Sequence, residues 1–300
     1  MKQAMNARAR WLLLLLVSVD LGAAISCAKG QGETVGRSSY LQSYRTPIVG
    51  TVPPNNPSIY NDEFSAQKPT SDDPAYVTLD PKWTEWDFGD CLHQAEINPR
   101  MGMLQMLQTG NKEWAGVRES LPVPTLDNPT VLYAVFARMF NNSFGTWDDF
   151  AEYFFGMMFC EDATDSASQL YGINTSLVRA NSVIFGGTEV MLWPSFDALV
   201  PSPDAEMSVG WPTEYWRAIV QSSYDGDDYV TSLQLSASVN GLGYAQLHRY
   251  TALDFPFRHL IFGQRSELDV QMGAQVDYVR LFTDVYDIDT TGRVQQLGSV

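Results

Sequence analysis

Cysteine, histidine and basic residues are scarce in this chain of 300 residues. It has 3 Cys, 3 His and 19 Lys plus Arg, against 35 Asp plus Glu. Neither the cysteines nor the histidines have the spacing of a metal site. The net charge of −16 argues against a nucleic-acid ligand, because phosphates require a basic surface. The same charge disfavours adsorption to anionic lipid.

Familiar catalytic motifs are missing as well. The sequence has no G-x-S-x-G elbow and no P-loop pattern, and nothing in it assembles a recognisable Ser-His-Asp triad. These absences lower the expectation of hydrolase chemistry without excluding it. Cys91 and Cys160 either form one disulfide in an oxidising compartment or stay unpaired.

Residues 1–28 read as an export leader. A basic stretch precedes an apolar run, residues 11–19, that is too short for an ordinary transmembrane helix. Residues 24–27 (AISC) loosely resemble a bacterial lipobox, in which Cys27 would carry a lipid. The alternative is a hydrophobic anchor or packing segment that is never removed. Residues 29–58 are rich in Gly, Ser, Pro and Asn, which predicts a flexible tether.

Residues 59–283 alternate short apolar runs with Gly-, Pro- and Asn-rich breaks, which predicts an antiparallel all-β domain. Residues 258–262 and 268–281 read as two strands separated by a break at residues 263–266. The aromatic-rich residues 146–160 fit either a helix or a strand, and their composition favours the strand. Residues 284–300 read as a polar tail.

Three segments resemble the concanavalin A-like lectin/glucanase family, which includes laminin G-like sandwiches. Residues 62–64 (DEF) and 79–83 (LDPKW) resemble its opening segments, and residues 276–282 (VDYVRLF) resemble its closing strand. The resemblance implies an antiparallel two-sheet jelly-roll sandwich in which the opening and closing strands lie together. The core residues expected from this fold are Phe64, Trp83, Val135, Phe154, Ile219, Leu260, Phe262, Val276, Tyr278 and Leu281.

Glycosidases of this family carry an E-x-D-x-E motif, in which the first carboxylate is the nucleophile and the last is the acid/base. Residues 267–271 read ELDVQ, and Gln271 cannot supply a proton as a carboxylic acid does. The motif also stands beside the terminal strand rather than in mid-chain. The sequence therefore leans against catalysis and leaves the question open.

Five residues are candidates for contact with a sugar. Trp147 stands beside Asp148 and Asp149 in a predicted loop, where an exposed indole next to hydrogen-bond acceptors suits a pyranose. Trp193 and Trp211 each precede a proline at a strand end, where loops gather. Most aromatic residues of a β-sandwich belong to its core, so the alternative for each of these tryptophans is a place in the core.

One acidic turn is a candidate calcium site. Asp225, Asp227 and Asp228 gather carboxylates within a predicted turn, although turns also favour aspartate for backbone reasons. Apart from calcium, no cofactor is expected.

The sequence thus predicts a non-catalytic recognition or structural module that binds glycan. Sandwiches of this type, as the resemblance implies, are appended to phage structural proteins and to secreted glycan-active proteins. The expected location is therefore secreted, periplasmic, lipid-anchored or on a virion surface. The expected partners are extracellular polysaccharide and other virion or envelope proteins, with membrane contact limited to the leader or a lipid on Cys27. Two alternatives stay open: a secreted glycoside hydrolase or lyase of the laminarinase-like superfamily, and a purely architectural coat or anchor component.

Overall fold

The computed structural model describes residues 58–62, 64, 79–88, 92–98, 103–109, 114–143, 152–180, 183–198, 207–209, 214–241, 243–266, 271–282, 286–288 and 294–296. The predicted leader, and the predicted tether up to residue 57, lie outside these ranges. The regular secondary structure within them is all β, as predicted. They contain no helix of the length and apolarity needed to cross a membrane.

The strands are β1 Ser58–Asp62, β2 Thr84–Asp87, β3 Leu92–Asn98, β4 Met103–Thr109, β5 Trp114–Ser120, β6 Thr130–Ser143, β7 Glu152–Cys160, β8 Leu170–Ala180, β9 Val183–Trp193, β10 Met207–Val209, β11 Tyr215–Tyr224, β12 Tyr229–Ser238, β13 Ala245–Leu253, β14 His259–Ser266, β15 Gln271–Phe282, β16 Tyr286–Ile288 and β17 Val294–Gln296. An eight-stranded sheet has the order β13-β12-β11-β6-β15-β4-β3, with β1 also paired to β15. A seven-stranded sheet has the order β10-β9-β8-β7-β14-β5-β2. The two sheets form an antiparallel sandwich, which confirms the predicted all-β, two-sheet fold class. Strands β16 and β17 form a separate small hairpin within the segment that reads as a polar tail.

The closing strand β15 organises the eight-stranded sheet. Strand β6 pairs along one of its edges, while β4 and β1 pair with the first and second halves of the other. Asp62 in β1 is the register partner of Val279, so the predicted neighbourhood of the opening and closing segments is confirmed. The opening segments also contribute to the core, because Trp83 packs between Phe64 at 6.1 Å and Phe262 at 5.7 Å.

The main core lies between the two sheets, and all the predicted core residues are buried. Seven of them belong to the core between the sheets, but Phe154, Ile219 and Tyr278 lie in two other clusters. Phe154 belongs to a cluster on the outer face of the seven-stranded sheet, together with Trp86, Trp114 and Trp193. Ile219 and Tyr278 belong to a smaller cluster on the outer face of the eight-stranded sheet.

A β-bulge explains why Tyr278 is on the outer face. The register of β15 against β6 shifts between Val276 and Tyr278, which leaves Asp277 as the extra residue. Because an extra residue reverses the alternation of side chains, Val276 faces the core while Tyr278 faces outward. Strict period-two counting places both residues on one face, and it fails at this point.

The predicted break at residues 263–266 is wrong, because β14 continues through Ser266. Gly263 pairs with Gly116 on one side and Gly156 on the other, so the strand interior tolerates it. The polar residues that follow are held by hydrogen bonds: Tyr153 donates from Oη to Oε1 of Gln264 at 2.6 Å, and Arg265 donates from Nη1 to the carbonyl of Ala198 at 2.6 Å. The strand reading of residues 146–160 is confirmed from Glu152 to Cys160.

Candidate functional site

Most of the ligand residues predicted from sequence lie outside the described part of the chain. This applies to Trp147, Asp148, Asp149 and Trp211, and also to residues 267–270 of the degenerate glycosidase motif. Gln271, the last residue of that motif, begins β15. Cys91 is likewise outside the described residues, whereas Cys160 is a buried free thiol.

Trp193 is fully buried, at 0% exposure. Its ring makes edge contacts with Trp114 and Phe154, both at 5.3 Å, and the guanidinium of Arg265 lies 5.1 Å from its centroid. The segment that follows β9 also packs here, since Phe196 belongs to the same buried cluster. Trp193 as a ligand residue stays a prediction, and its burial favours the core reading.

The predicted calcium residues form the turn between β11 and β12. One carboxylate oxygen of Asp225 accepts hydrogen bonds from the backbone N–H groups of Asp227 and Asp228, both at 3.0 Å. These bonds, that from Asp228 with the larger effect, hold the pKa of Asp225 below its ordinary value. Within the described ranges no three His, Cys, Asp or Glu side chains come together in a way that would hold a metal ion. Calcium at this turn therefore stays a prediction.

Two tyrosines flank the same turn. Tyr224 and Tyr229 are cross-strand partners whose rings stack at 4.6 Å with an interplanar angle of 25°. Leu126, which is 72% exposed, approaches the turn at Gly226, and Val230 is 57% exposed beside Tyr229. We call Leu126 and residues 224–230 the tyrosine turn. It combines half-buried aromatic rings, exposed apolar side chains and exposed carboxylates at one end of the eight-stranded sheet.

A second polar constellation lies on the outer face of the eight-stranded sheet. On three neighbouring strands, Arg138 pairs with Tyr215 on one side and Tyr278 on the other, and Phe136 pairs with Arg217 and Arg280. Each guanidinium lies over a tyrosine ring: Arg138 over Tyr215 at 4.7 Å, Arg217 over Tyr244 at 4.9 Å and Arg280 over Tyr278 at 4.3 Å. We call these residues the arginine–tyrosine face.

Charge and burial are unusual at this face. Arg138, Arg217 and Arg280 are 1%, 3% and 7% exposed although they point away from the main core. Arg138 donates to Oε2 of Glu214 at 3.0 Å and to Oδ2 of Asp277 at 3.5 Å. Burial also raises the pKa of the Tyr278 and Tyr244 hydroxyls, only partly countered by the neighbouring arginines, so both stay protonated near neutral pH.

Sequence reasoning named the carboxylates of the tyrosine turn only as calcium ligands, and it missed Tyr224, Tyr229 and the three arginines as site residues. The stacked tyrosines at the two ends of an acidic turn are a signal that could have been used, because the strands predicted around residues 224–229 make them cross-strand partners. The three arginines have no comparable signal. They are separated by 79 and 63 positions in sequence order, and only the pairing of β11, β6 and β15 brings them together.

No protein-family model matches the chain, and no curated protein matches it either. Solved structures similar to it include a bifunctional GH43-CE protein of Bacteroides eggerthii, with a TM-score of 0.43 and 12% identity over 76% of this chain and 26% of that one. The exoplasmic/lumenal domain of VIP36, in a Ca²⁺/Man3GlcNAc-bound form, has a TM-score of 0.39 and 9% identity over 70% and 87% of the two chains. The CBM2 module of the evolved Dit of Lactobacillus casei BL23 phage J-1 has a TM-score of 0.40 and 9% identity over 76% of this chain and 97% of that one. The chain thus spans about a quarter of the Bacteroides protein.

Proposed function

We propose that this chain is a non-catalytic module that recognises carbohydrate outside the cytoplasm or on a virion surface. The observation that carries the proposal is the tyrosine turn, where stacked rings stand beside exposed carboxylates. A pyranose ring offers an apolar face for stacking and hydroxyl groups that donate hydrogen bonds outward, and this turn offers the complement of both. The leader pattern in residues 1–28 supports the proposed location.

The charge states at the tyrosine turn suit binding better than catalysis. A general acid in a glycosidase needs a raised pKa so that it holds a proton near neutral pH. The pKa of Asp225 is lowered by the N–H groups of the turn, so this carboxylate stays ionised and acts as a hydrogen-bond acceptor.

The proposal extends to residues outside the described ranges. Trp147, Asp148, Asp149 and Trp211 are further proposed sugar contacts, on the strength of their sequence pattern. The partners in the proposal are cell-surface or extracellular polysaccharides, with other virion or envelope proteins holding the module in place. Calcium at the tyrosine turn is a separate proposal, and a loss of sugar binding in a chelating buffer would support it.

A glycan array tests the proposal with the full chain, the Tyr229→Ala variant and the control variant Val239→Ala, whose side chain is 72% exposed in the loop after β12. By analogy with base stacking on aromatic rings, losing Tyr229 should cost about 1–3 kcal/mol of binding, or about 5–150-fold in affinity. The melting temperatures of both variants should stay close to that of the parent, because neither side chain is fully buried.

Two results would count against the proposal. Unchanged binding by the Tyr229→Ala variant would remove the tyrosine turn as the site. Release of reducing sugars or unsaturated products from a polysaccharide panel would replace the non-catalytic function with hydrolysis or elimination.

A further inference from the structure

The charges at the tyrosine turn are all of one sign. Residues 224–230 contain no Lys, Arg or His, and they contain three exposed aspartates: Asp225, Asp227 and Asp228. The neighbouring residues 121–131 add the exposed Asp127, and they have no basic residue either. A ligand that packs on the stacked rings therefore meets carboxylates, and it meets no cation from these two segments.

The segment that carries Asp127 is held against the turn. The backbone N–H of Tyr224 donates to the carbonyl of Pro129 at 2.8 Å. Leu126 approaches from the same segment, because its Cδ2 atom lies 3.2 Å from the position that a Cβ on Gly226 would occupy. Asp127 thus stands next to the turn and adds a fourth carboxylate to its surroundings.

The carboxylates of the turn are accessible and charged. The N–H groups of Asp227 and Asp228 both donate to Oδ1 of Asp225, and they lower the pKa of this carboxyl group, so it is ionised at neutral pH. The side chains of Asp227 and Asp228 are exposed themselves. An ionised carboxylate forms shorter and stronger hydrogen bonds with a protonated amine than with a neutral hydroxyl group.

The stacked rings favour a ligand of the same charge. Tyr224 donates from Oη to the carbonyl of Gly226 at 2.7 Å, which holds this ring beside the turn, and Tyr229 stacks on it. The face of a tyrosine ring is negative and attracts cations. The rings and the carboxylates therefore select in one direction, toward a cationic ligand and away from one that carries a carboxylate or a sulfate.

We propose that the ligand of the tyrosine turn is a saccharide built from amino sugars with free, protonated amino groups, such as a glucosamine oligomer. This inference rests on the proposed function and assigns a ligand class to the same site. The ammonium groups bind the carboxylates of Asp227 and Asp228, and a sugar ring packs on Tyr229. Acetylation of the amino group removes its positive charge, and a uronic acid adds the opposite charge, so both kinds of sugar bind more weakly.

The test measures calorimetric binding of the full chain to a glucosamine trimer, its N-acetylated counterpart, a glucose trimer of the same linkage and spermidine. The buffer is held at about pH 6, below the ordinary pKa of an amino group, and contains a chelator and little salt. We expect the glucosamine trimer to bind at least about tenfold more tightly than the other three ligands. Added sodium chloride should weaken its binding by screening, and added calcium chloride should weaken it by competing for the carboxylates.

The outcomes separate this inference from the proposed function. Equal or tighter binding of either neutral trimer would overturn the ligand class and leave carbohydrate recognition intact. Equal binding of spermidine would show that charge alone is recognised, and stronger binding with calcium would show that the carboxylates serve a metal ion. Both results overturn the inference. If no sugar binds, with or without calcium, the proposed function fails together with it.

Variants connect the effect to the turn. The double change Asp227→Asn and Asp228→Asn should weaken binding of the glucosamine trimer at least about tenfold, because it removes two charge-assisted partners. The control Asp197→Asn removes an exposed carboxylate from the segment after β9 and should leave binding unchanged. If the double variant does not fold, Asp228→Asn alone should weaken binding in the same direction. Undiminished binding by these turn variants, or by Tyr229→Ala, would refute the inference.

Discussion

Replacing Trp193 by alanine distinguishes a core indole from a sugar platform. Trp193 is 0% exposed, and two aromatic rings and one guanidinium lie within 5.3 Å of its ring. Removing a buried tryptophan leaves a cavity and costs about 3–5 kcal/mol of the free energy of unfolding. For a domain of this size that cost corresponds to a fall of about 6–20 °C in melting temperature.

The assay compares thermal and urea unfolding of Trp193→Ala with those of Val239→Ala, an exposed apolar truncation that should change the free energy of unfolding by less than about 0.5 kcal/mol. At a temperature where Trp193→Ala is still folded, its glycan binding should equal that of the parent. An unchanged melting temperature together with lost binding would refute the packing argument and return Trp193 to the sugar site.

Three further predictions concern two buried groups and one half-buried histidine. Tyr153→Phe removes the donor to Gln264 and should lower the free energy of unfolding by about 1–3 kcal/mol, which a double-mutant cycle with Gln264→Leu would confirm as a coupled effect. Gly156→Ala should cost about 1–3 kcal/mol by urea unfolding, because the added Cβ would lie 2.7 Å from the Ile173 carbonyl and would overlap the Asn174 side chain. Partial burial and the nearby guanidinium groups of Arg118 and Arg258 lower the pKa of His259. The folded state therefore binds fewer protons than the unfolded state, and the free energy of unfolding should fall as the pH drops below about 6.5. His259→Gln should flatten that dependence in urea midpoints between about pH 7 and pH 5, and an unchanged slope would contradict the assignment.

The fold could be predicted because it depends on local patterns. Alternating apolar residues and aromatic-rich runs mark strands, and the segments at residues 62–64, 79–83 and 276–282 occur in the order that the sandwich requires. The pairing of Asp62 with Val279 confirms that inference. The break expected at residues 263–266 is wrong because a glycine followed by polar residues indicates a strand end, whereas β14 continues to Ser266 with Gly116 and Gly156 as the register partners of Gly263.

The candidate sites could not be predicted to the same extent, because they depend on strand neighbours that are distant in sequence. Arg138 and Arg280 belong to one face only because β6 pairs with β15 in a specific register. The bulge at Asp277 sets that register for the end of β15, and it turns Tyr278 and Arg280 to the faces they occupy. No periodicity in residues 271–282 marks the position of an extra residue.

The contrast between Trp193 and Tyr229 shows what decides whether an aromatic residue at a strand end can meet a ligand. Both residues lie at the end of a strand beside a turn, and sequence pattern alone favours only Trp193 as a sugar contact. After Trp193 the chain folds back, so that Phe196 and Ala198 pack on the outer face of the seven-stranded sheet. Tyr229 instead stacks on Tyr224 beside a short turn, and neighbouring Val230 stays 57% exposed. The connecting segment, rather than the strand, thus sets the exposure of an aromatic residue at a strand end. The two truncations should therefore give opposite results. Trp193→Ala should lose stability and keep glycan binding, whereas Tyr229→Ala should lose glycan binding and keep stability.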